Sequence, residues 1–469
     1  MKVRKVGAVN RIATVMVVLT AAAGLSVGNS VGASASSKKV ITFAYSSDYV
    51  FDSNSMALNY ANSIRRQYDK LYPKYQLKLV PISGSNNQIV TSLSLMYRSP
   101  STAPDVSEIP TGLLGELQGS NSVLNITKYV NATSWWPHFP ASLKAETTIG
   151  GKVYGVNEGM NDVALWYNKA MLRKAGISVP WKPTSWIDIL SAAEAVKRTS
   201  PGVSPLWLMA GNGSEIAGTL QGGANLILGS TTPYIENSKG KFVVDSPGIR
   251  QVLGFYKTVG QKNLDSPLSE LVNPNALALP ESYLAKNQVA IAMGGNYFGD
   301  QMVTGNLGPG LGKATCSPCI PNATEKIGVV GIPHETGGGI VSTISGWDFP
   351  IYAGTKYPQA AFDLINLLMS ETNMIEGDNS AGWPPDDAQY ANAPLYDNFS
   401  PYFNAFFAKL LPDSQIVPAT PDGVVWSTGF NNATESLLQN PSLSVSDVVN
   451  TMKQYITGQL GSANTVTVK

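Results

Sequence analysis

Residues 40–45 (VITFAY) form a short, nearly unbroken apolar run rich in β-branched and aromatic side chains, the mark of a buried strand. Tyr60, Ile64, Tyr68 and Leu71 then recur at helical spacing, and Pro73 must end the helix they predict. Residues 76–82 return to strand periodicity, with Leu77, Leu79 and Pro81 on one face. A strand, a crossover helix and a second strand make the βαβ unit of a parallel sheet. The pattern continues with a helix over 88–97, a short strand near 105–109 and an apolar segment over 112–117. Amphipathic stretches follow at 186–197, 249–259, 358–369 and 445–456, separated by Gly, Pro and Asn. No internal repeat or low-complexity tract interrupts them, and the fold class they predict is α/β.

The N-terminus has a different grammar. Lys2, Arg4, Lys5 and Arg11 precede an apolar, small-sided run over 12–27, and Ala33, Ser34 and Ala35 then supply a small-x-small site. This is the layout of an export signal over 1–35, and the run is short for a membrane span. Cleavage after Ala35 removes four positive charges and no negative one, turning a formal charge of +1 into −3. No Cys follows the run, so a lipid-attachment residue is absent and an extracytoplasmic location, in a periplasm or at a cell surface, is expected. After residue 40 no further stretch is apolar for long enough to span a bilayer.

With 469 residues the chain is long enough for two or three domains. The balance of 33 Lys and Arg against 32 Asp and Glu excludes the basic footprint of a nucleic-acid binder. Nine Trp, 20 Tyr and 13 Phe among only 14% charged residues favour a neutral partner that stacks on rings. Two His and two Cys leave little for a metal or a cofactor cluster, and neither a metal nor a cofactor is expected. Cys316 and Cys319 stand in a Gly- and Pro-rich segment, where a small disulfide is the simplest reading in an oxidising compartment.

The run GKVYGV at 151–156, followed by ALWYNK at 164–169, AGI at 175–177 and PTSW at 183–186, resembles the extracellular solute-binding proteins of ABC importers. The resemblance is to the sugar-binding branch that includes maltose-binding protein. YDKLYPKY at 68–75, APD at 103–105, YLAKNQVAIAM at 283–293, GGNY at 294–297 and PQAA at 358–361 agree with that family in order. Asn157 replaces a usual Pro, and Tyr297 a usual Trp, so the identity of the ligand does not carry over.

The resemblance implies two α/β lobes in a flytrap arrangement, with a ligand caught between them and an ABC permease as membrane partner. Lobe one is expected to hold 38–161 and 326–372, lobe two 162–325 and 373–469, with hinge crossings near 163–167, 325–330 and 371–373. Such proteins usually act as monomers and perform no chemistry. A sugar offers an apolar ring face to aromatic side chains and a hydroxyl rim to amides and carboxylates. Candidates in the segments this family places at the cleft are Tyr45, Asp48, Glu108, Asn161, Asp162, Asn212, Glu215, Gly295, Asn296 and Tyr297. Trp347, Trp383 and Trp426 join them because each reads as a loop residue, while Trp166, Trp186 and Trp207 read as core.

Enzyme signatures do not hold up. The GLSVG run at 24–28 matches a nucleophile elbow but lies in the export signal, and the segment 308–314 lacks two required residues of a phosphate loop. A secreted glycoside hydrolase needs two facing carboxylates, for which Glu158, Asp162, Asp386 and Asp387 are available. That rival, and a surface carbohydrate-binding protein without a transporter, remain open. The expected function is capture of a mono- or oligosaccharide for import.

Overall fold

The computed structural model describes residues 38–47, 55–84, 86–213, 215–273, 276, 279–302, 306–308, 312–313, 320, 322–381, 383, 401–410, 414–416 and 422–469. The export signal, Asp48, Cys316 and Cys319 lie outside the described residues, as does the side chain of Glu215.

The expected βαβ unit is present. Strand Lys39–Ser46 runs parallel to Tyr75–Ile82, from Lys39 opposite Tyr75 to Ser46 opposite Ile82. The helix Ser55–Leu71 makes the crossover. Val106–Ser107 pairs parallel on the other side of the first strand, at Phe43 and Ala44. Asp105 fastens this arrangement: its carboxylate accepts from the backbone N and the Oγ1 of Thr42, both at 2.9 Å. The amphipathic stretches also become helices, at Trp186–Thr199, Pro247–Lys262, Pro358–Leu368 and Val445–Leu460. Ser185 and Asp188 close the first of these with a capping box, which satisfies otherwise orphaned N–H groups.

The central element is the strand Asn157–Asn168, all twelve residues of which are buried. Its first half pairs antiparallel with Thr343–Asp348, from Asn157 opposite Asp348 to Asp162 opposite Ile344. Its second half pairs antiparallel with Val289–Gly295, from Val163 opposite Gly295 to Tyr167 opposite Ile291. Ile327–Val330 flanks that half on its other edge, over Leu165 to Asn168. The strand therefore changes partners between Asp162 and Val163.

Its side chains follow the same division. Met160 belongs to an apolar cluster with Ile41, Tyr68, Trp136, Phe349 and Leu364. Val163, Leu165 and Tyr167 enter a second cluster with Trp186, Leu206, Tyr256 and Phe430. Ala164 and Trp166 point to the opposite face, into a third with Trp207, Phe298, Phe403 and Phe407. Strand periodicity places alternate residues on opposite faces, so one element supplies several cores.

Two expectations about tryptophans need correction. Trp347 is not in a loop: it lies in the strand Thr343–Asp348, opposite Gly159. Trp426 is not in a loop either, because it lies in the first turn of a helix that starts at Gly423 and runs to Gln439. Trp426 is 1% exposed, stacks on Phe430 at 5.2 Å and 7°, and donates its indole N–H to the Val243 carbonyl at 2.7 Å. Four residues separate the two rings, the spacing at which helix side chains meet. Trp166, Trp186 and Trp207 are buried, in keeping with their core reading.

Trp166 has no accessible surface and packs on Phe298, Phe403 and Phe407, with ring centroids 5.9, 5.0 and 5.6 Å away. Trp166→Ala should cost about 3–5 kcal/mol of unfolding free energy, measured by urea denaturation. A loss below about 1 kcal/mol would show that this cluster contributes little.

Candidate ligand site

The partner change at Asp162 and Val163 gathers several of the expected site residues. Gly295 ends the strand opposite Val163, Asn296 makes a turn, and Tyr297 opens the helix Tyr297–Met302. The Asn296 backbone N–H donates to the Asp162 carbonyl at 2.9 Å, and its side-chain amide donates to the Met160 carbonyl at 3.0 Å. A Cβ on Gly295 would stand 2.1 Å from the Asn161 Oδ1 and 2.4 Å from the Tyr297 Cε1. Only glycine admits that approach. Tyr297 is buried and donates its hydroxyl to the Gln221 Oε1 at 2.8 Å. Asn161, Asp162, Gly295, Asn296 and Tyr297 thus form one cluster, with Gln221 joined to it from a turn of π-helix, Thr219–Gly223.

Two acceptors in this cluster are unusual. The Oδ1 atoms of Asn161 and Asn296 are buried without a hydrogen-bond partner among the described residues. Leaving such an acceptor unpaired costs about 1–3 kcal/mol, so both call for donors.

A second patch lies on the strand's first half. A Cβ on Gly159 would stand 1.9 Å from Trp383 Cε3, so the Trp383 ring rests directly on the backbone at Gly159. Trp347 lies opposite Gly159 across the strand pair and is half-buried. Thr111 braces the Trp347 strand, its hydroxyl donating to the Gly346 carbonyl at 3.1 Å. The patch therefore brings two indoles to one bare stretch of backbone.

The carboxylates gather elsewhere, Glu158 coming from the same strand, Glu108 from beside Val106–Ser107, and Glu376 and Asp378 from the helix Glu371–Ala381. The Ser46 backbone N–H donates to the Glu108 Oε2 at 3.1 Å, at the end of the first strand. Tyr45, its neighbour, is 4% exposed and stacks on Phe43 at 6.1 Å. Burial, followed by the charge of Glu108, raises the Tyr45 phenol above its ordinary range. The Tyr60 phenol is raised further, first by burial and then by Glu158, Asp378, Glu376 and Glu108. All four acids are buried, and Tyr60 donates to the Asn373 carbonyl at 2.9 Å.

Asp162 is not free to meet a ligand in this structure. It has no accessible surface, and its Oδ1 accepts from Ser342 at 3.2 Å and from Ser414 at short range. Burial raises its carboxyl to about 7 against those two hydrogen bonds. Asp348 is likewise raised to about 7 by burial, opposed by hydrogen bonds from Glu146 and Asn157.

The remaining candidates stand apart. Asn212 is exposed and donates to the Asn432 Oδ1 at 2.5 Å. Glu215 begins the short helix Glu215–Gly218. Trp426 is core and offers no free ring face. The sequence reading missed Gly159, Thr111, Glu376 and Asp378. Of these, only Gly159 carried a local signal, as a glycine within a strand, which marks close approach of another group. Among the described residues no group of three or more His, Cys, Asp or Glu side chains can hold a metal ion.

Residues 64–398 match the bacterial extracellular solute-binding protein family. The chain belongs to that family. A probable ABC transporter-binding protein of Deinococcus radiodurans is 22% identical over 335 residues, 71% of this chain and 73% of that protein. Among solved structures, the GacH receptor of Streptomyces glaucescens, determined unliganded and with acarbose, aligns at a TM-score of 0.71 and 16% identity. The alignment covers 91% of this chain and 99% of the receptor. The cyclic α-maltosyl-1,6-maltose binding protein of Arthrobacter globiformis aligns at 0.70 and 15% identity, over 90% and 99% of the two chains. Maltose-bound MalE3 of Thermotoga maritima also gives 0.70, at 16% identity, covering 90% of this chain and all of that one. At these identities the likeness establishes the fold, the two-lobed α/β architecture of maltose-binding-protein-like solute binders.

Two tests follow from the site as a solute-binding protein would use it. Gly159→Ala must displace Trp383, and it should lower the ligand-free melting temperature by several degrees in differential scanning calorimetry. An unchanged melting temperature would mean that the Trp383 contact is not made. The second concerns pH. Asp162 and Asp348 are raised to about 7 and Glu281 to about 8, mainly by burial. A carboxyl raised on folding holds its proton longer folded than unfolded, so stability must fall as pH rises between about 4 and 8. The slope is at most about 1.4 kcal/mol per pH unit for each group. Urea midpoints should therefore be higher at pH 5 than at pH 8, with a smaller difference in Glu281→Gln; equal midpoints would contradict these shifts.

Proposed function

We propose that this protein captures a mono- or oligosaccharide between its two lobes and delivers it to an ABC permease, itself performing no chemistry. The observation that carries this reading is the Trp347–Gly159–Trp383 patch, together with the buried amide oxygens of Asn161, two residues along the same strand from Gly159, and of Asn296, neither of which has a donor among the described residues. Sugar rings have apolar faces that suit indoles, and hydroxyls that donate to amide oxygens. Acarbose, maltose and cyclic maltosyl-maltose in the names of the similar structures support a carbohydrate ligand.

The lobes in this reading are 38–161 with 326–372, and 162–325 with 373–469. The strand Asn157–Asn168 would be their principal crossing, since its halves pair with different strands. Closure must then be driven by contacts a ligand makes with both halves at once. The ligand contacts would come from Trp347, Trp383, Asn161, Asn296 and Tyr297, with Tyr45 and Glu108 at the lobe-one wall. Asp48 and Glu215 remain proposed contacts on the sequence resemblance. Export, retention outside the cytoplasm, a Cys316–Cys319 disulfide and a monomeric state complete the proposal. The family match supports the extracellular placement, and no helix among the described residues is long and apolar enough to cross a membrane.

A glycoside hydrolase is the alternative to remove. Titration of the purified protein with maltose, maltotriose, acarbose and mannobiose, with calorimetric detection and product chromatography, separates the two readings. At about 100 times its dissociation constant an intact bound sugar should add ~2.7 kcal/mol of stability. Trp347→Ala and Trp383→Ala should each weaken binding at least about tenfold, in line with the cost of an aromatic contact. Trp426→Ala should lower stability and leave affinity within about twofold. A cleaved sugar would overturn the binding-protein reading, and unaltered affinity in both patch variants would overturn the site.

A further inference from the structure

Asp162 occupies the one position where the long strand leaves Thr343–Asp348 and joins Val289–Gly295. Three chain segments meet on it. Ser342, one residue before the strand Thr343–Asp348, donates its hydroxyl to Asp162 Oδ1 at 3.2 Å and accepts from the Val163 N–H at 2.8 Å. Ser414, which leads into the short strand Gln415–Ile416, donates to the same oxygen. The Asp162 carbonyl accepts from the Asn296 N–H at 2.9 Å. Both hydroxyls thus converge on Oδ1, while Oδ2 is buried without a partner among the described residues.

That asymmetry has a direct electrostatic meaning. With a proton on Oδ2 the carboxyl is neutral and can remain in the dry crossing. Without it, an unneutralised charge sits where water cannot reach, at a cost of several kcal/mol unless the segments part. Among the described residues, the surrounding elements supply no compensating cation. Val289–Gly295, Thr219–Gly223 and Ser414–Ile416 contain no charged side chain, and Thr343–Asp348 contributes only Asp348, whose carboxyl meets Asn157 and Glu146. Tyr297, on the helix after Asn296, is bonded to Gln221, and Lys409 on Pro401–Leu410 is exposed.

We propose that Asp162 is a proton-operated latch: protonated, it holds the strand crossing packed against Ser342 and Ser414, and ionised, it loosens that crossing. The proposal rests on the reading of Asn157–Asn168 as the interlobe crossing only for its consequence, that ligand is held more tightly in mildly acidic than in alkaline surroundings. The latch itself is local. Burial raises the Asp162 carboxyl to about 7, which places the change in a range a bacterium's surroundings traverse.

The test is amide hydrogen exchange of the ligand-free protein at pH 5 to 8.5, corrected for intrinsic rates, read at Val163, Thr343 and Asn296. Opening should become about tenfold more frequent per pH unit between about 5 and 7, and level off above about 8. Asp162→Asn should abolish that dependence. Ser414→Ala, which removes a hydrogen bond to the ionised form, should move the midpoint to higher pH while keeping the dependence. Flat protection in the wild type, or the same pH dependence in Asp162→Asn, would overturn the latch. Small-angle scattering on the same samples addresses the crossing separately. Protection that changes at a constant radius of gyration supports the latch and removes the hinge reading, whereas a radius that grows with protection loss supports both.

Discussion

Everything in this architecture depends on one strand satisfying its backbone while surrendering all its surface. Asn157–Asn168 is buried at every position, so each of its N–H and C=O groups must be paired inside the protein. One neighbour along its whole length would have made a single rigid sheet. Instead the pairing passes from Thr343–Asp348 to Val289–Gly295 within one residue step, and the three apolar clusters draw on different portions of the strand. The polar residues at that step are therefore structural necessities as well as candidate contacts. Asn296 completes the carbonyls of Met160 and Asp162, and the Ser342 hydroxyl completes the N–H of Val163.

The site has the same origin. Close approach is possible only where a side chain is missing, and Gly159 and Gly295 supply the two openings. Trp383 fills the first, and Asn161 with Tyr297 fills the second. What remains unfilled among the described residues is hydrogen-bonding capacity: the amide oxygens of Asn161 and Asn296 have no donors. Such a surface combines apolar area with unspent polarity, the requirement for recognising a molecule that has both in every ring.

Much of the fold was legible in the sequence. The βαβ start and four later helices follow from spacing alone, because each rests on local periodicity. The long strand's role was not legible that way, since EGMNDVALWY reads as one strand whatever it pairs with, and a change of partners is a long-range property. Trp347 and Trp426 show the same limit. Turn-forming neighbours, Ser345 and Gly346 for one and Pro421 and Gly423 for the other, suggested loops, yet tertiary pairing extended a strand through the first and a helix began at the second. Of the candidate site, Asn161, Gly295, Asn296 and Tyr297 were suggested by the resemblance to the solute-binding family and Trp383 by its turn-forming neighbours, while their grouping in space is a matter of geometry. Gly159 and Thr111 act through contacts some 200 residues distant, on Trp383 and Gly346, which no local pattern encodes.

The same long pairing has a temporal side. Ser342 lies 180 residues beyond Asp162, so at a synthesis rate of ~5–20 residues per second the inner edge of the strand emerges ~10–40 seconds before the partner that covers it. For that interval the segment Asn157–Asp162 lacks the strand that pairs its backbone. A protein wired this way is slow to complete and easy to keep incomplete. The final closing of the sheet comes later still, with Gln415–Ile416 on the outer edge of Thr343–Asp348, when about nine-tenths of the chain has been made.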